Sequence, residues 1–279
     1  LTGHALSPHE RLSLRRSSRH GADPRGHVRG AILDRGPQPV AMTFLKIEHL
    51  QFRLGDWQLQ VCLRAERGDC IALIGPSGAG KSTLLSLIAG FDRPDDGGIF
   101  VQEQRIDSLA PAVRPVTMMF QENNLFNHLT IYQNIALGCH PGLKLTDDDY
   151  ELIEGALKAT QLGALRSRKP ADVSGGERQR AALARCVCQK RPLLLLDEPF
   201  TGLDPRLRAE MHDLVDVLRK DHSLTVIVVS HLPGEIARIA DTLAFMHAGT
   251  IQEHGPTEAT LTDPKSSDLK EYLRFTASG

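Results

Sequence analysis

The stretch Gly75-Pro76-Ser77-Gly78-Ala79-Gly80-Lys81-Ser82 decides the fold, because it fits G-x-x-x-x-G-K-[ST] between an apolar run at 70–74 and a helix-like run at 83–89. A strand, a glycine-rich loop and a helix in this order predict a phosphate-binding loop. Its backbone amides and the positive end of the helix dipole attract an anion. Lys81 is expected to reach the β- and γ-phosphates of a nucleotide, and the Ser82 hydroxyl to ligate Mg²⁺, with Thr83 completing the phosphate-binding set. A glycine-rich loop before an ordinary helix is the alternative.

The composition indicates a soluble globular protein. Of the 279 residues 41% are hydrophobic and 24% are charged, and the net charge of −1 argues against a general nucleic-acid binder. No apolar run approaches the roughly 18 to 20 residues of a membrane span, so membrane association is expected to come through a partner or through the protein surface. Five cysteines without paired spacing favour reduced thiols in the cytosol.

Residues 1–41 differ from the rest of the chain. They hold seven arginines, no lysine and three acidic residues, with little apolar periodicity. Three interpretations compete: an organellar transit peptide, a disordered basic arm that touches anionic lipid or nucleic acid, and an extension without a fold of its own. We favour the third interpretation, in which native folding begins near Met42.

The apolar pattern predicts a sheet with an antiparallel part and a parallel part. Alternation at 44–52 and 57–63 predicts antiparallel strands with one polar face. Uninterrupted apolar runs predict strands buried on both faces of a parallel sheet, at 70–74, 116–120, 193–197 and 225–230. A turn is expected at 94–98 before a short strand at 99–101, and a last hairpin near 247–250.

The expected helices divide between the sheet and an insertion. Thr130 and Thr146 resemble helix N-caps, so helices are predicted at about 130–139 and 147–160. Further helices are expected after Ser174 to about residue 189, as a crossover at 206–220, and in a short tail at 256–279. The prediction is an α/β phosphate-loop NTPase domain over 42–255, with a mixed sheet, an antiparallel β part and a helical subdomain inserted at about 122–178.

Two adjacent acids follow the buried run at 193–196. Asp197 at the end of such a strand, beside a phosphate loop, is expected to hold Mg²⁺ directly or through water. Glu198 is expected to polarise the attacking water. Paired acids at a strand end are often only solvated, but the upstream phosphate loop favours the catalytic interpretation.

A second anion-binding helix start follows, and with it the chain resembles a known family. Ser174-Gly175-Gly176-Glu177 opens a helix and offers its backbone amides. The ordered set resembles the ATP-binding subunits of ABC transporters over about 44–255; its members are the phosphate loop, Gln121, Val173 to Glu177, Leu196-Asp197-Glu198-Pro199, Gly202-Leu203-Asp204 and His231.

The resemblance implies an ATPase with two composite sites. Ser174, Gly175 and Gly176 of one subunit would close over ATP held by the phosphate loop of a second copy. Gln121 would touch Mg²⁺ or the lytic water, and Asp204 would line the dimer seam. His231 would hydrogen-bond the γ-phosphate. The aromatic side chain that stacks on adenine in the family falls near Phe52, with Trp57 as a rival.

Two residues depart from the family pattern. Glu177 stands where the family usually has Gln, and Val173 stands where it has Leu. A carboxylate near the γ-phosphate would repel it. Ser174 and Glu177 nevertheless have the spacing of a capping box, in which Glu serves as well as Gln, so we expect the change to be tolerated.

The family resemblance also implies partners. The pair of subunits would lie on the cytoplasmic face of the inner membrane. Its closure would move the helical subdomain, which would contact transmembrane permease subunits. A periplasmic solute-binding protein would be an indirect partner. Segments at 120–126, 128–130, 133–135 and 141–145 are most similar to the ATPases of thiamine importers. The alternatives are an importer ATPase for ferric iron, sulfate or a polyamine, a soluble ABC ATPase, and a phosphate-loop kinase, which would leave the Ser174 stretch and His231 without a reason.

Overall fold

The computed structural model describes residues 43–120 and 125–276. Its strands are β1 (Thr43–Leu54), β2 (Trp57–Glu66), β3 (Cys70–Ile74), β4 (Asp96–Val101), β5 (Gln104–Arg105), β6 (Val116–Met119), β7 (Leu193–Asp197), β8 (Thr225–Val229), β9 (Thr242–His247) and β10 (Thr250–Pro256). Its α-helices are α1 (Lys81–Ala89), α2 (Ile131–Ala136), α3 (Asp147–Ala159), α4 (Gly175–Cys188), α5 (Pro205–Asp221), α6 (Pro233–Ile236), α7 (Thr257–Thr262) and α8 (Ser267–Thr276). Residues 1–41 and Gln121 lie outside the described residues.

The strands form one mixed sheet in the order β5-β4-β1-β2-β10-β9-β3-β8-β7-β6. Strands β9, β3, β8, β7 and β6 run parallel, and β5, β4, β1 and β2 are antiparallel, with β10 joining the two parts. Every residue of β3 and β8 is buried, as expected for strands covered on both faces, whereas β2 alternates between buried and exposed residues. The predicted fold class is confirmed.

Two local predictions were wrong. The turn expected at 94–98 is already strand from Asp96, because β4 pairs with β1 from that residue. Gly97 is required there by a close approach, since a Cβ atom would lie 2.4 Å from the His49 carbonyl oxygen. The helix expected at 130–139 ends at Ala136, and Gly138 then lies against α4, where a Cβ atom would be 2.2 Å from the Arg185 carbonyl oxygen.

Three hydrophobic clusters fill the described part of the chain. One lies on the sheet face covered by α1, and a second lies on the face covered by α4, α5 and α8. The third joins α2, α3 and the other side of α4. Thr130 and Thr146 cap α2 and α3 as predicted, each in a reciprocal capping box. The inserted helices therefore have a core of their own.

Arg114 fixes the far end of the helix that follows the phosphate loop. The residue is only 1% exposed, and its guanidinium donates to the carbonyl oxygens of Leu87 and Ile88 at 2.7 and 2.9 Å. It also donates to the carbonyls of Asp107 and Leu109. A cation at a helix C-terminus interacts favourably with the helix dipole. Arg114 thereby holds α1 against the loop before β6.

The five cysteines all have free thiols, as the sequence predicted. Among residues 43–120 and 125–276, no helix has both the length and the apolar composition that a membrane crossing requires.

Candidate nucleotide site

The phosphate loop joins β3 to α1 in the order that the sequence predicts. Gly80 occupies the N-cap of α1 with φ 102° and provides no capping side chain, so the cap leaves the first turn open to a ligand. Gly75 has φ 147°, and a Cβ atom there would lie 2.0 Å from the Met246 carbonyl oxygen. The first residue of the loop can therefore only be glycine.

Lys81 lies across the loop that it follows. Its Nζ donates hydrogen bonds to the carbonyl oxygens of Gly75 and Pro76, both at 2.8 Å. Burial lowers the pKa of Lys81, and the nearby charges of Glu198 and Asp197 offset part of that shift. The ammonium group is held in the loop without a direct carboxylate partner among the described residues.

Ser82 and Asp197 meet at the end of β7. The Ser82 hydroxyl donates to Asp197 Oδ1 at 3.1 Å, and burial raises the pKa of Asp197, while this hydrogen bond lowers it. Hydroxyl and carboxylate oxygens are the ligands that Mg²⁺ prefers in proteins. The pair therefore fits Mg²⁺ beside the phosphate loop.

Glu198 is held in an unusual backbone conformation. Its φ is 49°, in the left-handed region that non-glycine residues rarely adopt, and such strain clusters at functional sites. The carboxylate contacts His231 Nε2 at 2.5 Å through Oε1 and accepts a hydrogen bond from the Thr201 hydroxyl at 3.3 Å through Oε2. Two side chains therefore fix the direction of this carboxylate.

A groove of about 350 Å³ brings eight of the predicted site residues together. Leu54 and Trp57 form one end. The other lining residues are Ser77, Gly78, Gly80, Lys81, Ser82, Thr83, Glu198 and His231. Ala79 is buried beneath the loop, and Pro76 lines a different cleft.

The two aromatic candidates have different surroundings. Trp57 packs on the phosphate loop, where a Cβ atom at Gly80 would lie 2.6 Å from its ring. Both rings pack against the hydrophobic cluster under α1, but Phe52 is not among the described residues that line the groove. The structure therefore brings Trp57, and not Phe52, to the phosphate loop.

The Ser174 stretch begins helix α4. Ser174 caps α4. The Glu177 carboxylate accepts hydrogen bonds from the Ser174 amide at 2.7 Å and from the Ser174 hydroxyl at 2.9 Å. These bonds lower the pKa of Glu177. The predicted capping box is present, and it commits the Glu177 carboxylate to the helix cap.

Ser174, Gly175 and Gly176 are absent from the described residues that line the phosphate-loop groove. A Cβ atom at Gly176 would contact Leu203 and Leu207 at 3.6 Å, so this helix start packs near the beginning of α5. Asp204 caps α5 by accepting from the amides of Arg206 and Leu207. The groove of one chain is thus separate from its own Ser174 stretch.

Two residues of the site were missed by sequence reasoning. Thr201 holds Glu198, but it lies between two motifs and carries no pattern of its own. Leu54 lines the groove and is 69% exposed, yet it lies beyond the strand that alternation predicts at 44–52 and carries no motif. Gln121, predicted to touch Mg²⁺ or water, lies outside the described residues.

The comparisons agree with this geometry. A family model described as ABC transporter matches residues 59–201. The thiamine import ATP-binding protein of Photobacterium profundum is 49% identical over 213 residues, which cover 76% of this chain and 88% of the relative. Among solved structures, a nucleotide-free ATP-binding cassette from an ABC transporter matches with a TM-score of 0.73 and 25% identity, over 80% of this chain and 97% of that one. A dimeric ATP-binding cassette bound to ADP and Pi matches with a TM-score of 0.67 and 24% identity, over 76% and 98%.

Proposed function

Because the chain belongs to the ABC transporter family, we propose that it is the ATP-hydrolysing subunit of a thiamine importer. The observation that carries the ATPase function is the groove in which the phosphate loop faces Glu198 and His231. The observation that favours thiamine is the 49% identity with a thiamine import ATP-binding protein over most of both chains.

The phosphate loop binds the phosphates of ATP. Its backbone amides and the start of α1 attract the anion, and Lys81 exchanges its two loop carbonyls for the β- and γ-phosphate oxygens. Ser82 and Asp197 hold Mg²⁺, which neutralises phosphate charge when bound. Mg²⁺ is proposed from the donor set formed by these two side chains.

Glu198 acts on the attacking water. The contacts with His231 and Thr201 hold one rotamer of its carboxylate, so that it can accept a proton from water without reorganising. His231 lines the same groove and hydrogen-bonds the terminal phosphate. Trp57, the only tryptophan of the chain, stacks on the adenine, because its ring lines the groove beside Gly80.

A second copy completes the site. The Ser174 helix start offers backbone amides and a dipole to an anion, yet it does not line the groove of its own chain. In a two-fold dimer, Ser174, Gly175 and Gly176 of each chain would cover the ATP that the other chain holds, and Asp204 would lie at the seam. The separation of the two anion-binding helix starts within one chain supports this arrangement.

The partners follow from the function. The dimer sits peripherally on the cytoplasmic face of the inner membrane, and its helical subdomain contacts transmembrane permease subunits. A periplasmic solute-binding protein delivers thiamine or its phosphates to the permease. ATP favours the closed dimer through its higher affinity for that state, and hydrolysis reopens it.

Uptake of radiolabelled thiamine tests this function in cells that produce the chain together with its permease. We expect Lys81→Ala to reduce uptake to background, because the variant binds ATP weakly and lacks the ammonium group that contacts the β- and γ-phosphates. Lys265→Ala, which removes an exposed lysine outside the groove, should leave uptake unchanged. Thiamine uptake that is unaffected by Lys81→Ala would refute the proposal. If the variant instead loses uptake of ferric iron, sulfate or a polyamine, that solute and not thiamine is the one transported.

A further inference from the structure

Helix α8 lies outside residues 59–201, the part that the family model matches, and its packing gives it a position behind the phosphate loop. Leu269 is fully buried in the cluster that covers β9 and β3. The Tyr272 ring lies 5.5 Å from the Phe245 ring, measured between centroids. Helix α8 is therefore part of the core and is held against β9.

Strand β9 transmits this contact to the phosphate loop. Phe245 pairs with Ile74, the residue immediately before the loop. The next residue, Met246, contributes the carbonyl oxygen that excludes any side chain from position 75. The segment of β9 on which Tyr272 packs is thus the segment that fixes the first residue of the loop.

The Tyr272 side chain also lies beside the start of the phosphate loop. Its oxygen is buried and makes no hydrogen bond of normal geometry within the described chain. Burial raises the pKa of Tyr272, and the backbone amide of Gly75 offsets part of that rise. Tyr272 and Pro76 also line one cleft of about 330 Å³. The tyrosine therefore contacts the region of both initial loop residues.

These two residues are the ones that hold Lys81. The carbonyl oxygens of Gly75 and Pro76 accept both hydrogen bonds from the Lys81 ammonium group. A shift of these carbonyls would move the lysine and the loop amides together. Small displacements of binding groups have large effects on affinity and rate, since charge-assisted hydrogen bonds depend on geometry.

The start of α8 has a polar anchor of its own. His247 Nδ1 and Asp268 Oδ2 are 2.8 Å apart, which joins the first turn of α8 to the end of β9. On the other side of the helix, Leu273 lines a groove together with Leu232, the neighbour of His231. Helix α8 is thus joined to the end of β9 and lines a groove with the loop that follows His231.

We propose that Tyr272 is a positioning residue for ATP binding: its ring and buried hydroxyl hold Gly75 and Pro76 in the register that the phosphate loop needs. The inference rests on the proposed ATPase function of this loop. It assigns a role in nucleotide binding to a helix beyond the part of the chain that carries the family motifs.

The test compares ATP hydrolysis and thermal unfolding of the full chain and its variants. Tyr272→Ala removes the ring and the hydroxyl, and we expect KM for ATP to rise about tenfold with a smaller change in kcat, because ground-state binding is weakened. Tyr272→Phe keeps the ring and should raise KM about two- to threefold at an unchanged unfolding temperature. Lys270→Ala is the matched control, since it removes an exposed side chain of the same helix that does not line this cleft.

Different results would refute the positioning role of Tyr272 and the proposed ATPase function. An unchanged KM in both Tyr272 variants, or an equal rise in Lys270→Ala, would overturn the positioning role. If Tyr272→Ala fails to fold, Tyr272→Phe decides. Absence of hydrolysis by the folded, unsubstituted chain would instead refute the ATPase function.

Discussion

Glu198→Gln is expected to lower ATP turnover about a thousandfold, within the range that a positioned general base contributes. The amide can still contact His231 and Thr201, so the local structure should persist. It cannot accept a proton from the attacking water, however. Steady-state phosphate release measures the effect, and ATP binding should remain close to that of the unsubstituted chain.

Glu258→Gln is the control for this prediction. Glu258 is exposed in α7 and does not line the groove, so its neutralisation should leave turnover unchanged. A Glu198→Gln variant that binds ATP and retains more than about a tenth of normal turnover would exclude Glu198 as the general base, given the contribution expected of one.

Lys81→Ala is expected to weaken ATP binding about a hundredfold. The variant loses charge-assisted hydrogen bonds to phosphate, which contribute about 1.5–3 kcal/mol each. Because Trp57 is the only tryptophan and lines the groove, its fluorescence can report nucleotide binding directly. A titration with ATP therefore measures the dissociation constant in the protein without a label.

Lys81 also holds two carbonyls of the loop, so a second variant must separate charge from loop structure. Lys81→Arg keeps the charge but replaces the compact ammonium group with a planar fork, and it should recover only part of the affinity. If Lys81→Ala binds ATP as tightly as the unsubstituted chain, the proposed contact with the phosphates is wrong.

Local patterns were enough to predict much of the site. The phosphate loop is recognisable because glycines, lysine and hydroxyl must follow one another at fixed spacing between a strand and a helix. Asp197 was predicted because it ends an apolar run typical of a buried strand, in a chain that carries a phosphate loop upstream. The capping box of Ser174 and Glu177 is likewise a contact over three residues, and the structure confirms it.

Features that depend on distant pairing were not predictable in the same way. Phe52 and Trp57 lie five residues apart on neighbouring strands, and only the packing of Trp57 on Gly80 distinguishes them. The positive φ of Glu198 reflects surrounding contacts rather than its residue type. Helix α8 reads only as a tail in the sequence, because its contacts with Phe245 and the Gly75 region join residues that are distant along the chain.

The most direct test of the account concerns the second copy. In gel filtration with ATP, Glu198→Gln should elute as a dimer with twice the 30.6 kDa of the single chain, because ATP stays bound between the two subunits. Adding Ser174→Arg should abolish the dimer while Trp57 fluorescence still reports ATP binding. Thr146→Arg is the matched control, since it disrupts the equivalent capping box of α3 and should leave the dimer intact. A dimer that persists with Ser174→Arg would contradict a site completed by Ser174 to Gly176 of a second chain.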